Sequence, residues 1–163
     1  MFYENVDLTR IYNNPDFPLG AIHEEGGDAF EFVKYHSGDD PVNATPGYLA
    51  YYCEASGTEQ PPLYTVTGDY NATTKVDTTY LLAAGMFMSI LTNGKYGWIQ
   101  KRGFNRIAML SDASIQPGIP VRPFDGLGSI AIMVNTELMP IGRAFKVNTD
   151  TVCAIGTIKL EIF

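Results

Sequence analysis

The sequence predicts an all-β fold, a single-domain β-barrel or sandwich over residues 18–163 preceded by an extended N-terminal arm over residues 1–17. Three observations lead there. No window of 11 or more residues repeats apolar positions at helical spacing without a Gly or Pro interrupting it. Short β-favouring runs recur between turn signals every 8 to 12 residues, the rhythm of a sandwich or barrel. The chain also closes on a strict alternation, with Ile158, Leu160 and Ile162 on one face and Thr157, Lys159 and Glu161 on the other, as in a half-buried strand.

Taken in order, the first 17 residues carry Phe2, Tyr3, Val6, Leu8, Ile11, Tyr12 and Phe17 without a clean period. An apolar but aperiodic segment needs a surface to lie on, which leaves two readings open: a first strand of the chain's own sheet, or an arm laid on another subunit. Ala29 to Tyr35 is aromatic-rich and bounded by Gly26-Gly27-Asp28 and by Ser37-Gly38-Asp39-Asp40-Pro41, so it reads as a strand between turns. Residues 54–74, with Pro61-Pro62 and many small polar residues, read as a long loop bearing one short strand at Leu63 to Thr67.

Asn93-Gly94 separates the β-favouring runs Phe87–Leu91 and Tyr96–Gln100, which predicts a hairpin with a type I′ turn. Gly103 to Leu110 is expected as a separate strand, and Ser111 to Gly118 as a turn or a single helical turn. Ile119–Val121, Ser129–Val134, Ile141–Val147 and Val152–Ile162 complete the series. Trp98, the single tryptophan, shares a strand face with Tyr96, and the pair is expected to anchor the core.

At 163 residues the chain is long enough to bury a core without disulfide or metal staples. Cys53 and Cys153 have no C-x-x-C spacing, lie in apolar strand-like surroundings and are expected as buried free thiols. The longest near-continuous apolar stretch, Tyr80 to Leu91, is too short to cross a bilayer, and the first residues lack the pattern of a secretory leader, so synthesis in a cytoplasm without membrane insertion is expected. Charge is uneven: residues 1–80 carry a net of −10 and residues 81–163 a net of +3, for −7 overall. That acidity argues against a nucleic-acid partner, because phosphate contacts need a basic surface. It also allows unlike halves of neighbouring copies to attract one another.

Catalytic chemistry finds little support. His23 and His36 belong to no metal-binding spacing, no G-x-S-x-G elbow occurs, and Gly126-Leu127-Gly128 leads into a strand rather than a helix. Asp39-Asp40 and Asp69 with Asn71 lack the order of a calcium loop and read as turn residues. No enzyme activity, catalytic residue, metal or cofactor is expected. Lys101, Arg102 and Arg106 put positive charge beside a hairpin, where it could meet an acidic partner.

Leu19-Gly20, Phe30 to Lys34, Thr92 to Gly103, Gln116 to Val121 and Ile141 to Ala144, in that order, resemble small head decoration or capsid cement proteins of tailed bacteriophages. The similar stretches, chiefly Phe17 to Tyr35 and Met86 to Phe163, cover about 100 of the 163 positions. The resemblance implies a structural virion protein, of jelly-roll or β-tulip-like form, that binds the outside of an HK97-like major capsid lattice and stabilises the expanded head. The implied partners are the major capsid protein and the protein itself, as a homotrimer before a dimer. Phe2, Tyr3, Leu8, Ile11, Tyr12, Lys101, Arg102 and Arg106 are the expected contact residues. Tyr48 to Tyr80 departs from the pattern and is expected as an outward-projecting insertion, which keeps a host-adhesion role open. The alternative function is a carbohydrate- or receptor-binding β-sandwich stacking ligands on Tyr48, Tyr51, Tyr52, Tyr64 and Tyr70.

Overall fold

Ile22–Glu25 (β1) and Asp28–Tyr35 (β2) form a hairpin whose two-residue loop, Gly26-Gly27, has φ of 62° and 92°. Positive φ at both central positions is the type I′ turn that matches strand twist, and glycine adopts it without steric cost. A computed structural model describes residues 3, 5–37, 44–53, 63–68, 83–110, 116–123, 130–132, 141–147 and 154–162. It is all-β, with no helix among the described residues, and contains a closed β-barrel with extra strands.

The barrel is a ring of five staves. β2 runs antiparallel to Tyr96–Leu110 (β6), which pairs with Ala83–Phe87 (β5). Leu49–Tyr52 (β3) pairs with β5, Thr65–Thr67 (β4) pairs with β3, and β4 closes the ring by a short parallel pairing with β2 at Lys34 and Tyr35. Val33, Tyr35, Ala44, Ala50, Val66, Ala84, Phe87, Leu91 and Ile99 fill one core cluster. Closure leaves these staves without a free edge. The region from Tyr48 is therefore not an outward insertion as far as it is described: β3 and β4 are staves, and Leu49, Tyr51 and Val66 are fully buried. Residues 54–62 and 69–82 lie outside the described residues.

β6 is one 15-residue strand where two were expected. It stays continuous because two bulges absorb the change in direction. Ala29 faces Arg102 while Phe30 faces Gln100, which leaves Lys101 as the extra residue; further on, Arg106 and Ile107 together oppose Thr157. Each bulge bends the strand and resets which face the next side chain takes. The second half of β6 carries the remaining strands, Ala154–Glu161 (β10), Gly142–Val147 (β9), Pro120–Pro123 (β7) and Ile130–Ile132 (β8), in that spatial order. β8 touches back on β6 through Leu110 and Ile130. A further core cluster of Leu49, Tyr51, Met86, Ala108, Val121, Ile141, Ala144, Ile158 and Leu160 joins this sheet to the barrel.

The hairpin expected at Asn93-Gly94 is centred there, since Met86 faces Gln100 and Phe87 faces Ile99, but the turn differs. Only Gly94 takes a positive φ, 79°, and the Lys95 N–H donates to the Thr92 carbonyl at 3.0 Å, the pattern of a type II turn. The loop is wide because Leu91 turns into the barrel core, where Gly97 leaves room for it: a Cβ there would meet Leu91 Cδ2 at 2.8 Å. Gly97 thus gives the Leu91 side chain its seat.

Candidate interaction surface

β2 is buried on both faces, so large apolar residues stand on both sides of its pleat, Phe30 and Phe32 on one and Val33 and Tyr35 on the other. Val33 and Tyr35 point into the barrel, and Glu31 shares their side of the pleat. This carboxylate is almost fully buried, 4% exposed, and is matched from two other staves. The Tyr52 hydroxyl on β3 donates to Glu31 Oε2 at 2.6 Å, and the Lys101 ammonium on β6 lies 3.7 Å from the same oxygen. Lys101 Nζ also donates to Tyr52 Oη at 2.9 Å and sits 5.5 Å from the centre of that ring. Burial, and then the hydrogen bond to the Glu31 carboxylate, push the Tyr52 phenol well above its usual range.

This cluster changes the place of one expected contact residue. Lys101 is not an outward cation: the bulge at that position turns its side chain, 18% exposed, toward Glu31. Nothing in the sequence marks Glu31 and Tyr52 as its partners, because the three residues come together only through ring closure.

The N-terminal segment lies back on its own chain. Tyr12 forms an isolated bridge with Tyr96, their backbone N–H groups and carbonyls exchanging bonds of 3.0 Å, and the Tyr12 side chain is buried. Phe17 meets Trp98, Phe32 and Tyr12 edge-on at 5.2, 5.2 and 5.6 Å, and Tyr3 meets Phe17 at 5.1 Å. Val6 and Leu8 pack on the same cluster, Tyr96 stacks on Phe32 at 6.2 Å, and Trp98 is fully buried. A turn fixes the approach, with the Asp7 carboxylate accepting from the Thr9 N–H and hydroxyl at 3.0 and 2.8 Å; these bonds hold Asp7 below the usual carboxylate range. Of the expected contact residues in this segment, Tyr12 is buried, Tyr3 and Leu8 are half-buried and Ile11 is exposed; Phe2 lies outside the described residues.

Exposed aromatic and charged side chains come together on the outer face of β6, β10 and β9. Arg102, Phe104 and Arg106 point outward from β6, Lys159 and Glu161 from β10, and Arg143 and Phe145 from β9. Phe104 and Phe145 meet edge-to-face at 5.2 Å although they are 43% and 61% exposed. Two of the four cations are neutralised by neighbours: Arg102 donates to Glu24 at 2.7 Å, and Lys159 lies 2.9 Å from Glu161. Arg106 and Arg143 have no carboxylate partner among the described residues, and Arg143 donates only to the Gly118 carbonyl, at 3.1 Å. The sequence points to Arg102 and Arg106 but not to Phe104 between them, nor to Arg143 and Phe145 on a distant segment.

Other candidates separate less well from the framework. Tyr51 is in the core, Tyr52 is held by Glu31, Tyr48 packs against the barrel interior and Tyr64 is exposed; Tyr70 lies outside the described residues. Cys53 is half-buried rather than buried as expected, and its N–H donates to the Thr65 carbonyl at 2.9 Å, while Cys153, Asp39, Asp40, Asp69 and Asn71 lie outside the described residues. No cluster of three potential metal ligands occurs among the described residues. No protein-family model matches the chain, and neither the curated proteins nor the solved structures searched yielded a match.

Proposed function

We propose that this chain is a structural protein of a tailed-phage head, bound outside an HK97-like capsid lattice and stabilising its expanded form. The single observation that supports this reading most is how the barrel uses its ionisable groups: Glu31, Tyr52 and Lys101 satisfy one another inside the ring, as framework groups do. The groups left for a partner are on a sheet face. A cement protein needs this division between a firm scaffold and an outward contact surface, because it acts by binding the assembled lattice and not its dissociated parts. Many equivalent sites then turn modest single-site affinity into lasting attachment. On this reading the partners are the major capsid protein and further copies of the chain, the location is the outer surface of the virion, and no reaction is catalysed. Sugar stacking is the weaker reading, since Tyr51 and Tyr52 are committed to the core and to Glu31.

The test is addition of the purified protein to expanded heads that lack it. Saturable binding at a fixed copy number per capsid subunit, with a rise in the melting temperature of the heads, is the expected result. Absence of binding, or binding with unchanged head stability, overturns the proposal.

A further inference from the structure

We infer that the outer face of β6, β10 and β9 is a self-association surface, on which a second copy of this chain docks across a two-fold axis with Phe104 and Phe145 at its centre. Exposed aromatics bordered by arginines are the composition of an interface core rather than of ordinary surface. The two rings are held edge-to-face at 5.2 Å, so little rotamer freedom remains to be lost on docking.

The occupant follows from what borders the patch. The β1–β2 hairpin lies against it: Glu24 accepts from Arg102 at 2.7 Å, and Asp28 Oδ1 accepts from the Phe104 N–H at 3.0 Å. Glu25, with its side chain 70% exposed, stands at the tip beside Gly26-Gly27. An acidic hairpin and a field with two unneutralised arginines therefore sit side by side on one surface. A two-fold rotation exchanges such neighbours, bringing the hairpin of each copy onto Arg106 and Arg143 of the other. The charge balance of the whole chain has the same sense, −10 over residues 1–80 and +3 over residues 81–163. Two-fold pairing departs from the trimer implied by the resemblance and does not depend on a capsid role, so it can fail while that role stands.

Sedimentation velocity over a concentration series of about 1 to 200 µM at low salt reads this directly. A monomer–dimer equilibrium that weakens with added salt is expected. Phe104→Ser with Phe145→Ser should give a monomer with an unchanged far-UV spectrum. The charge variants supply the sharper test. Arg106→Glu with Arg143→Glu, and separately Glu25→Arg, should each weaken self-association, since each sets like charges against one another. Mixing the two should restore pairing as a heterodimer, because both contacts then join opposite charges. A wild-type monomer or trimer across the series, or charge variants that fail to pair when mixed, overturns the inference.

Discussion

Lys101 Nζ donates a hydrogen bond to Tyr52 Oη at 2.9 Å across the barrel, and the same phenol donates to the buried Glu31 carboxylate at 2.6 Å. One hydroxyl thus serves a cation as acceptor and an anion as donor, and it carries both charges' contact with the third stave. Three staves, of which β3 pairs with neither β2 nor β6, are tied at a single oxygen.

Removing that oxygen should have a pH signature. Burial and Glu31 hold the Tyr52 phenol above its ordinary value of 10.0, so above this pH the unfolded chain releases a proton that the folded chain retains. The unfolded state then binds fewer protons, and stability falls as pH rises. Tyr52→Phe should be less stable near neutral pH by about 1–3 kcal/mol, the cost of leaving buried polar groups short of a partner. It should also lose less stability than the wild type between roughly pH 9 and 11.5. Urea unfolding across that interval measures both; parallel curves would contradict the assignment.

Lys101→Met isolates the buried carboxylate. Leaving Glu31 without its cation should cost about 3–5 kcal/mol, whereas Lys101→Met combined with Glu31→Leu should recover most of the loss. A double-mutant cycle by chemical denaturation gives the coupling; simple additivity would place Glu31 and Lys101 apart.

Trp98 is fully buried beneath Phe17 and beside Phe32, so Trp98→Ala should destabilise the fold by about 3–5 kcal/mol. Tyr12→Ala should also cost stability and, by loosening the cover, raise the accessibility of Trp98 to an acrylamide quencher. Unchanged quenching would detach the N-terminal segment from this cluster.

Gly103 has a φ of 104°, and a Cβ there would run into Asp28 Oδ1. Gly103→Ala should therefore cost at least about 1–3 kcal/mol through backbone strain alone. Gly118, at φ of 85° with open space around it, is the control: its alanine variant meets the strain without the collision and should be the milder of the two. Thermal melts of both variants compare them.

Legibility in the sequence tracked how local each cause was. β2 and β10 show in their β-favouring or alternating runs, and each lies within one or two residues of its expected bounds. β3 and β5 were hard to read because Leu49–Tyr52 and Ala83–Phe87 are short and become strands through ring closure rather than propensity. The inward turn of Lys101 depends on a single extra residue opposite Ala29 and Phe30, which shifts side-chain parity without leaving a mark in composition. The pairing of Phe104 with Phe145 is a product of β10 lying between their strands. Trp98 and Tyr96, by contrast, could be placed on one face from their spacing alone.

The length of β6 has a mechanical corollary. Its first residues complete the ring and its last ones hold the additional sheet, so neither half has a backbone seam along which it could peel away. Pulling on one region loads the other through the same continuous stretch of peptide. Heating should accordingly produce a single calorimetric peak rather than two, with the whole polypeptide yielding together.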